Sequence, residues 1–364
     1  MAQSAQGEAA SLDAAPDAFG RASFAMMDIL RRALGHALGA FGLDPDECPY
    51  RIVGFGPHWS LRDYGGHDRS LSLLIVAAPI KRAYIWDLAP SASAVRYCMR
   101  TGLHVHLLEW MPASHWNQNN GLDEYTEAIS ECVAEISGGA AGTTPFLVGH
   151  SLGGTLAAIF TAWAPPASIR GLILLGAPLC FEPATSRFRD ALVSLIPPAL
   201  SDGDPFPGSL LSFIATLASP GTFIWSRVID TASSITDRQA LEINARVERW
   251  ALDEVPLPGK LVHQIIQWLY RENRFCGGTL KLSEALVGPS SLSVPALAVV
   301  TMADEVAPLA SVKPCIEAMP ATDVRIIQYP GEVGVGLQHL GILVGREARA
   351  HVWPEIISWI KTHS

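Results

Sequence analysis

The sequence predicts an α/β protein: a mostly parallel, doubly wound sheet with a helical cap inserted late in the chain. Three observations predict it. Short runs rich in Leu, Ile and Val (71–78, 104–109, 171–175) alternate with helix-period segments (92–99, 122–136, 155–164), the order in which crossover helices join parallel strands. An apolar run, Phe146-Leu147-Val148, enters Gly149-His150-Ser151-Leu152-Gly153, and an Ala-rich stretch leaves it; this is strand, sharp turn, helix. From 181 to 290 the alternation stops and Pro and Gly recur throughout. A segment of about 110 residues is too long for a loop in a compact fold and reads as an inserted cap.

Each element follows from its local pattern. Residues 1–20 are rich in Ala, Ser and Asp and lack the basic start and continuous apolar segment of a secretory signal, so a disordered tail is expected. Residues 21–68 form an N-terminal segment. Within it, 22–41 has apolar residues at helical spacing (Phe24, Met27, Leu30, Leu34, Leu38, Phe41), and 51–64 alternates weakly like an edge strand. The first part of the core is expected over 69–180. Its strand at 71–78 is apolar on both faces and ends at Pro79, and Asp123 and Glu124 open the helix at 122–136. After the cap at 181–290, the core resumes over 291–364, with strands at 295–300 and 324–329 and a closing helix at 352–362.

Composition excludes several classes. The net charge is −9 without a dense Lys/Arg cluster, which argues against a nucleic-acid partner because the phosphate backbone needs a basic face. No run of about 18 apolar residues suggests a membrane span. The six cysteines have no C-x-x-C spacing. Neither a zinc site nor a disulfide framework is expected, Cys180 reads as a core residue at a strand end, and the pattern fits a reducing cytoplasm. Hydrophobic residues make up 49% and charged residues 17%, which suits a large Ala- and Leu-rich core.

The chemistry centres on Ser151. A serine hydroxyl is a weak nucleophile at neutral pH; it needs an imidazole to take its proton, and the imidazole needs a carboxylate to fix its tautomer. In α/β-hydrolases these follow in the order Ser, acid, His. Asp304, just past the strand at 297–300, is the expected acid, with Glu305 as the local alternative and a helix N-cap as its structural role. His339 lies in a Gly-rich loop after the strand ending at Tyr329; His351 and His363 fall on or beside the last helix. His150 reads as support for the turn. His104 and His106, spaced i, i+2 on a strand, read as core or edge histidines, since no carboxylate or cysteine cluster accompanies them in sequence. The N–H groups of Leu152 and Ile80 are the expected oxyanion donors, Ile80 because Pro79 has no N–H. No cofactor and no metal are expected.

Several segments resemble the polyhydroxyalkanoate synthases. They are Leu73-Leu74-Ile75-Val76, Ile80 to Leu88, Glu109-Trp110 and Leu122-Asp123-Glu124-Tyr125; Trp250, Pro256-Leu257-Pro258-Gly259 and Leu269-Tyr270-Arg271-Glu272-Asn273; and Ala303-Asp304-Glu305-Val306-Ala307-Pro308, His339-Leu340-Gly341 and Val344-Gly345-Arg346-Glu347-Ala348. The likeness runs in order over about residues 69–360. It implies an α/β-hydrolase core, a cap over a buried site, and chemistry on 3-hydroxyacyl esters or thioesters, often in a dimer at polymer granules. It assigns nucleophile, acid and base to Ser151, Asp304 and His339. The synthases carry cysteine at the nucleophile, where this chain has Ser151. A cysteine thioester passes its acyl group readily to the next monomer's hydroxyl, whereas a serine oxyester does so with almost no driving force and suits attack by water. The expectation is therefore a serine esterase or depolymerase acting on 3-hydroxyalkanoate esters or oligomers. The alternatives are a synthase using 3-hydroxyacyl-CoA and a non-catalytic, granule-associated partner of a synthase. The partner reading would use the apolar stretch at 210–225 as its contact surface, although cap core is the expected role of those residues. A cytoplasmic, granule-associated location and a homodimer or a synthase partner subunit go with these readings.

Overall fold

The structure, a computed structural model, describes residues 3–66, 68–138, 143–197, 203–321, 323–332, 334–335 and 337–364, with side chains from residue 20 onward except at 68 and 69. Its centre is a sheet of β1 (Arg51–Gly56), β2 (Trp59–Gly65), β3 (Asp68–Val76), β4 (Leu103–Trp110), β5 (Phe146–His150), β6 (Gly171–Leu175), β7 (Ala296–Thr301) and β8 (Val324–Tyr329), in the spatial order β1-β2-β4-β3-β5-β6-β7-β8. β2 is antiparallel to β1 and β4, and all other neighbours are parallel. The α/β class expected from the strand–helix alternation is the one observed.

Both sheet faces are covered, as parallel strands require. On β3, Leu74 and Val76 join one apolar cluster with α3 (Leu122–Gly138) and α4 (Leu152–Trp163). Leu73 and Ile75 join the opposite cluster, with α2 (Ala94–Arg100) and the closing helix Trp353–Thr362. Burying one such side chain is worth about 1.5–3 kcal/mol, so alternate residues of a single strand hold both helical layers.

Two expectations at the N-terminal end need correction. The segment 51–64 is a hairpin of two strands, because Pro57 and His58 turn the chain between β1 and β2. Helix α1 (Gln3–Leu38) begins within the segment expected as a tail. Its Ala-rich composition favours helix; the side chains up to residue 19 lie outside the described residues.

Between β6 and β7 come α5 (Arg187–Leu195), α6 (Gly208–Ala218), α7 (Ser226–Ser234), α8 (Arg238–Leu252) and α9 (Gly259–Gln264), the last running on through a π-helical segment to Arg271. Phe188, Leu192, Phe206, Leu257, Val262 and Ile266 form a third apolar cluster among them. Helix α1 packs on this layer. Both oxygens of buried Asp28 accept from the N-terminal N–H groups of α6, Oδ2 from Gly208 at 3.1 Å and Oδ1 from Ser209 at 2.7 Å. A carboxylate from another helix thus satisfies donors that have no partner within α6.

The stretch 210–225 is not simply cap core. Leu210, Leu211, Ile214 and Phe223 pack inward, while Phe213, Leu217, Ile224 and Trp225 are exposed, as are Ile29, Leu30 and Leu34 of α1. Part of the chain's high hydropathy therefore lies on the outside of this layer. Among the described residues no single helix is long and apolar enough to cross a membrane; Gly208–Ala218 and Gly221–Ser234 meet that measure only as a pair bent by 107°.

Candidate active site

Ser151 sits between β5 and α4 with φ 55° and ψ −133°, a region costly for any residue with a Cβ. The surroundings enforce it. Its N–H donates to Leu175 O of β6 at 3.0 Å, and its carbonyl accepts from Gly154 N at 2.9 Å and Thr155 N at 3.1 Å. The flanking glycines are steric necessities. A Cβ on Gly149 would stand 2.5 Å from the Gly154 backbone, and one on Gly153 would stand 2.3 Å from Val76 O. These close approaches place the serine at the C-terminal edge of the sheet centre, where ligands bind in open α/β sheets.

Asp304 follows β7 and His339 lies in a 3₁₀ turn after β8. His339 Nδ1 is 2.6 Å from Asp304 Oδ2, and the other carboxylate oxygen accepts from Val306 N at 2.8 Å. Burial would raise the Asp304 carboxyl; the His339 ring and the Val306 and Ala307 N–H groups outweigh it and hold the group below its ordinary value. Asp304 therefore shapes its own loop and faces the histidine; it caps no helix, contrary to the N-cap alternative, because residues 305–307 form a bend. His339 Nε2 is buried with no hydrogen-bond partner among the described residues.

The local alternative, Glu305, is engaged elsewhere. Its carboxylate accepts from Ser219 Oγ and from Thr222 Oγ1 (2.9 Å), and its carbonyl accepts from Ser186 Oγ at 2.7 Å. It binds the helical layer. His150 Nε2 donates to the His339 carbonyl at 2.8 Å. Burial first, then the neighbouring His339 ring, push the His150 ring down to about 3, so it is neutral near pH 7.

Ser151, His339, Leu152 and Ile80 all line one cavity of about 480 Å³ between sheet and helical layer. Its walls are mainly apolar, from Phe181, Leu192, Leu211, Ile266 and Tyr270, with Phe24 and Met27 of α1 on another side. Arg31, Lys81, Arg82 and Arg227 also line it. His351 and His363 lie away from it, paired with Glu347 and Asp323.

The cysteine expectation is overturned at one pair. Cys180 and Cys276 form a disulfide with a Cα–Cα distance of 5.1 Å across a sequence separation of 96. No short spacing marks it, because the fold brings the end of the helical layer back to the loop after β6. Next to it, Phe181 packs on Tyr270 with ring centroids 4.4 Å apart, both at the cavity wall. The other cysteines are buried and free. His104 and His106 are buried on β4, and the antiparallel pairing of β2 with β4 brings beside them the carboxylate that the local sequence lacks, Asp63.

This strand order, with a serine on the turn after the central strand β5, defines an α/β-hydrolase fold. Solved structures agree on the fold. The chain is similar to a monoacylglycerol lipase from Paleococcus ferrophilus (TM-score 0.51, 16% identity, 84% of this chain and 99% of that one). It is also similar to a soluble variant of monoglyceride lipase from Saccharomyces cerevisiae (TM-score 0.56, 12% identity, 88% and 95%).

In sequence the chain is related to proteins named poly(3-hydroxyalkanoate) polymerase subunit PhaC. It is 27% identical over 297 residues to that of Haloferax mediterranei, covering 80% of this chain and 59% of the relative. It is 21% identical over 359 residues to that of Thiocystis violacea, covering 97% and 99%. The chain thus spans about three-fifths of the first relative's length and nearly all of the second's. No family model matches the chain.

Proposed function

We propose that the protein is an acyl-transfer enzyme that forms an acyl-serine at Ser151, and that it hydrolyses 3-hydroxyalkanoate esters or oligomers. The observation behind this reading is the strained Ser151 turn opening on the same apolar cavity as a histidine held by a buried carboxylate. In the proposed reaction His339 Nε2 takes the Ser151 proton as Oγ attacks the ester carbonyl. Asp304 keeps the ring's Nδ1 protonated and stabilises the imidazolium. The N–H groups of Leu152, at the N-terminus of α4, and of Ile80 receive the oxyanion. The C–O bond to the leaving alcohol then breaks, and the alcohol takes the proton from His339. Water attacks the acyl-serine with His339 again as base, releasing the hydroxy acid and restoring the serine hydroxyl.

The names of the relatives favour a second reading, polymer synthesis. Here the leaving group is the thiol of a 3-hydroxyacyl-CoA, and the acyl acceptor is the hydroxyl of another hydroxyacyl unit instead of water. One assay separates the two. The purified protein is given 3-hydroxybutyryl-CoA and, separately, a 3-hydroxybutyrate oligomer, and the products are resolved. Free hydroxy acid from the oligomer supports hydrolysis. Free CoA with growing polymer supports synthesis and overturns the hydrolase reading. No turnover of either substrate overturns both and leaves binding to a granule or a synthase as the role.

A further inference from the structure

Asp63 of β2 and His106 of β4 are cross-strand partners, and His104 lies two residues before His106 on the same face. The three side chains each bring one ligating atom to within 4.8 Å of the others. Asp63 Oδ1 is 2.7 Å from His104 Nε2 and also accepts from Gly65 N at 2.7 Å, while Oδ2 carries Arg51 at 3.0 Å. The two imidazoles lie 4.3 Å apart between centroids. His106 is more than nine-tenths buried, and its Nδ1 has no hydrogen-bond partner among the described residues. A buried ring nitrogen left unpaired is costly, and a cation would supply what it lacks.

We propose that Asp63, His104 and His106 bind a divalent late first-row metal ion such as zinc. Two imidazoles and one carboxylate are the donors such ions prefer, whereas calcium and magnesium take six or more oxygens. Ligand bonds of about 2.0–2.2 Å place tetrahedral donors roughly 3.3 Å apart, so the cluster needs only small side-chain adjustments. The proton between Asp63 and His104 is displaced as the metal binds, and water completes the shell. The site lies at the start of β4, which runs parallel to β3 and through it to β5, the strand that ends at Ser151, so it is at the end of the sheet opposite the serine. Its role is to tie β2 to β4, outside the acyl chemistry.

Calorimetric titration of the full chain with zinc chloride tests this. One ion per chain is expected, with Kd near or below about 10 μM and at least about tenfold weakening in His106→Gln and in Asp63→Asn. Saturating zinc should raise Tm in the wild type and not in the variants. Zinc-edge X-ray absorption on the wild type, which needs no variant to fold, should show two imidazole ligands. Affinity unchanged in both variants, a bound ion without imidazole ligands, or no binding in the micromolar range overturns the assignment.

Discussion

His150 Nε2 donates to the backbone carbonyl of His339 at 2.8 Å, so the residue just before Ser151 grips the loop that carries His339. The Ser151 turn and the His339 loop are joined through this bond, independently of any contact between the two side chains. In the proposed reaction His150 is a positioning residue. His150→Leu should lower kcat about tenfold or more with KM little changed, since a small misplacement of a catalytic group is enough to do so. His150→Gln, which can still donate, should recover much of the loss; equal loss in both variants would point to packing alone. Steady-state kinetics on a soluble ester reads the split.

Ser151→Ala should reduce ester turnover by about 10³-fold or more. Tm should hold or rise slightly, because the side chain makes no hydrogen bond that the fold needs and a smaller residue does not worsen the turn. Asp304→Asn and His339→Gln should each lose a comparable factor. Residual activity near wild type in Ser151→Ala would remove the acyl-serine from the mechanism.

Acid should destabilise the fold through His150 well above the carboxylate range. Its folded value of about 3 lies below the ordinary histidine value near 6.5. Between these two values the unfolded chain binds the extra proton, so stability rises with pH. As pH falls from about 6.5 toward about 3, His150 alone removes up to roughly 1.4 kcal/mol per pH unit. Urea midpoints at pH 7, 6 and 5 measure this, and His150→Gln should flatten the slope. Asp304, held below its ordinary value, adds to the acid loss only at lower pH, near and below about 4.

Cys276→Ser opens a loop closed across a sequence separation of 96. Chain entropy alone assigns such a closure about 4–5 kcal/mol, with engineered and natural cases often lower. Urea unfolding with and without reductant should show a loss of stability in the wild type on reduction and no further change in the variant. Because Phe181 and Tyr270 flank the bridge at the cavity wall, KM for long acyl chains should rise more than KM for short ones.

The α/β core could be read from the sequence because each strand and helix declares itself over a few residues. Ser151, Asp304 and His339 were candidates because their order along the chain is itself a signal, and the structure brings Asp304 against His339 and sets Ser151 on the cavity that His339 lines. What escaped depends on residues far apart in sequence. Asp63 meets His104 and His106 only through an antiparallel strand pair, and Cys180 meets Cys276 only after the helical layer folds back. The outer face of 210–225 was missed for another reason. Apolar periodicity tells which residues share a helix face, but a helix with apolar residues on every side, such as α6, does not say which face turns outward.

The neighbours Asp304 and Glu305 divide their attention between two layers: one carboxylate steadies a ring at the sheet edge, the other clasps Ser219 and Thr222 above it. One peptide unit therefore ties the carboxylate that faces His339 to the helical layer that covers the sheet edge.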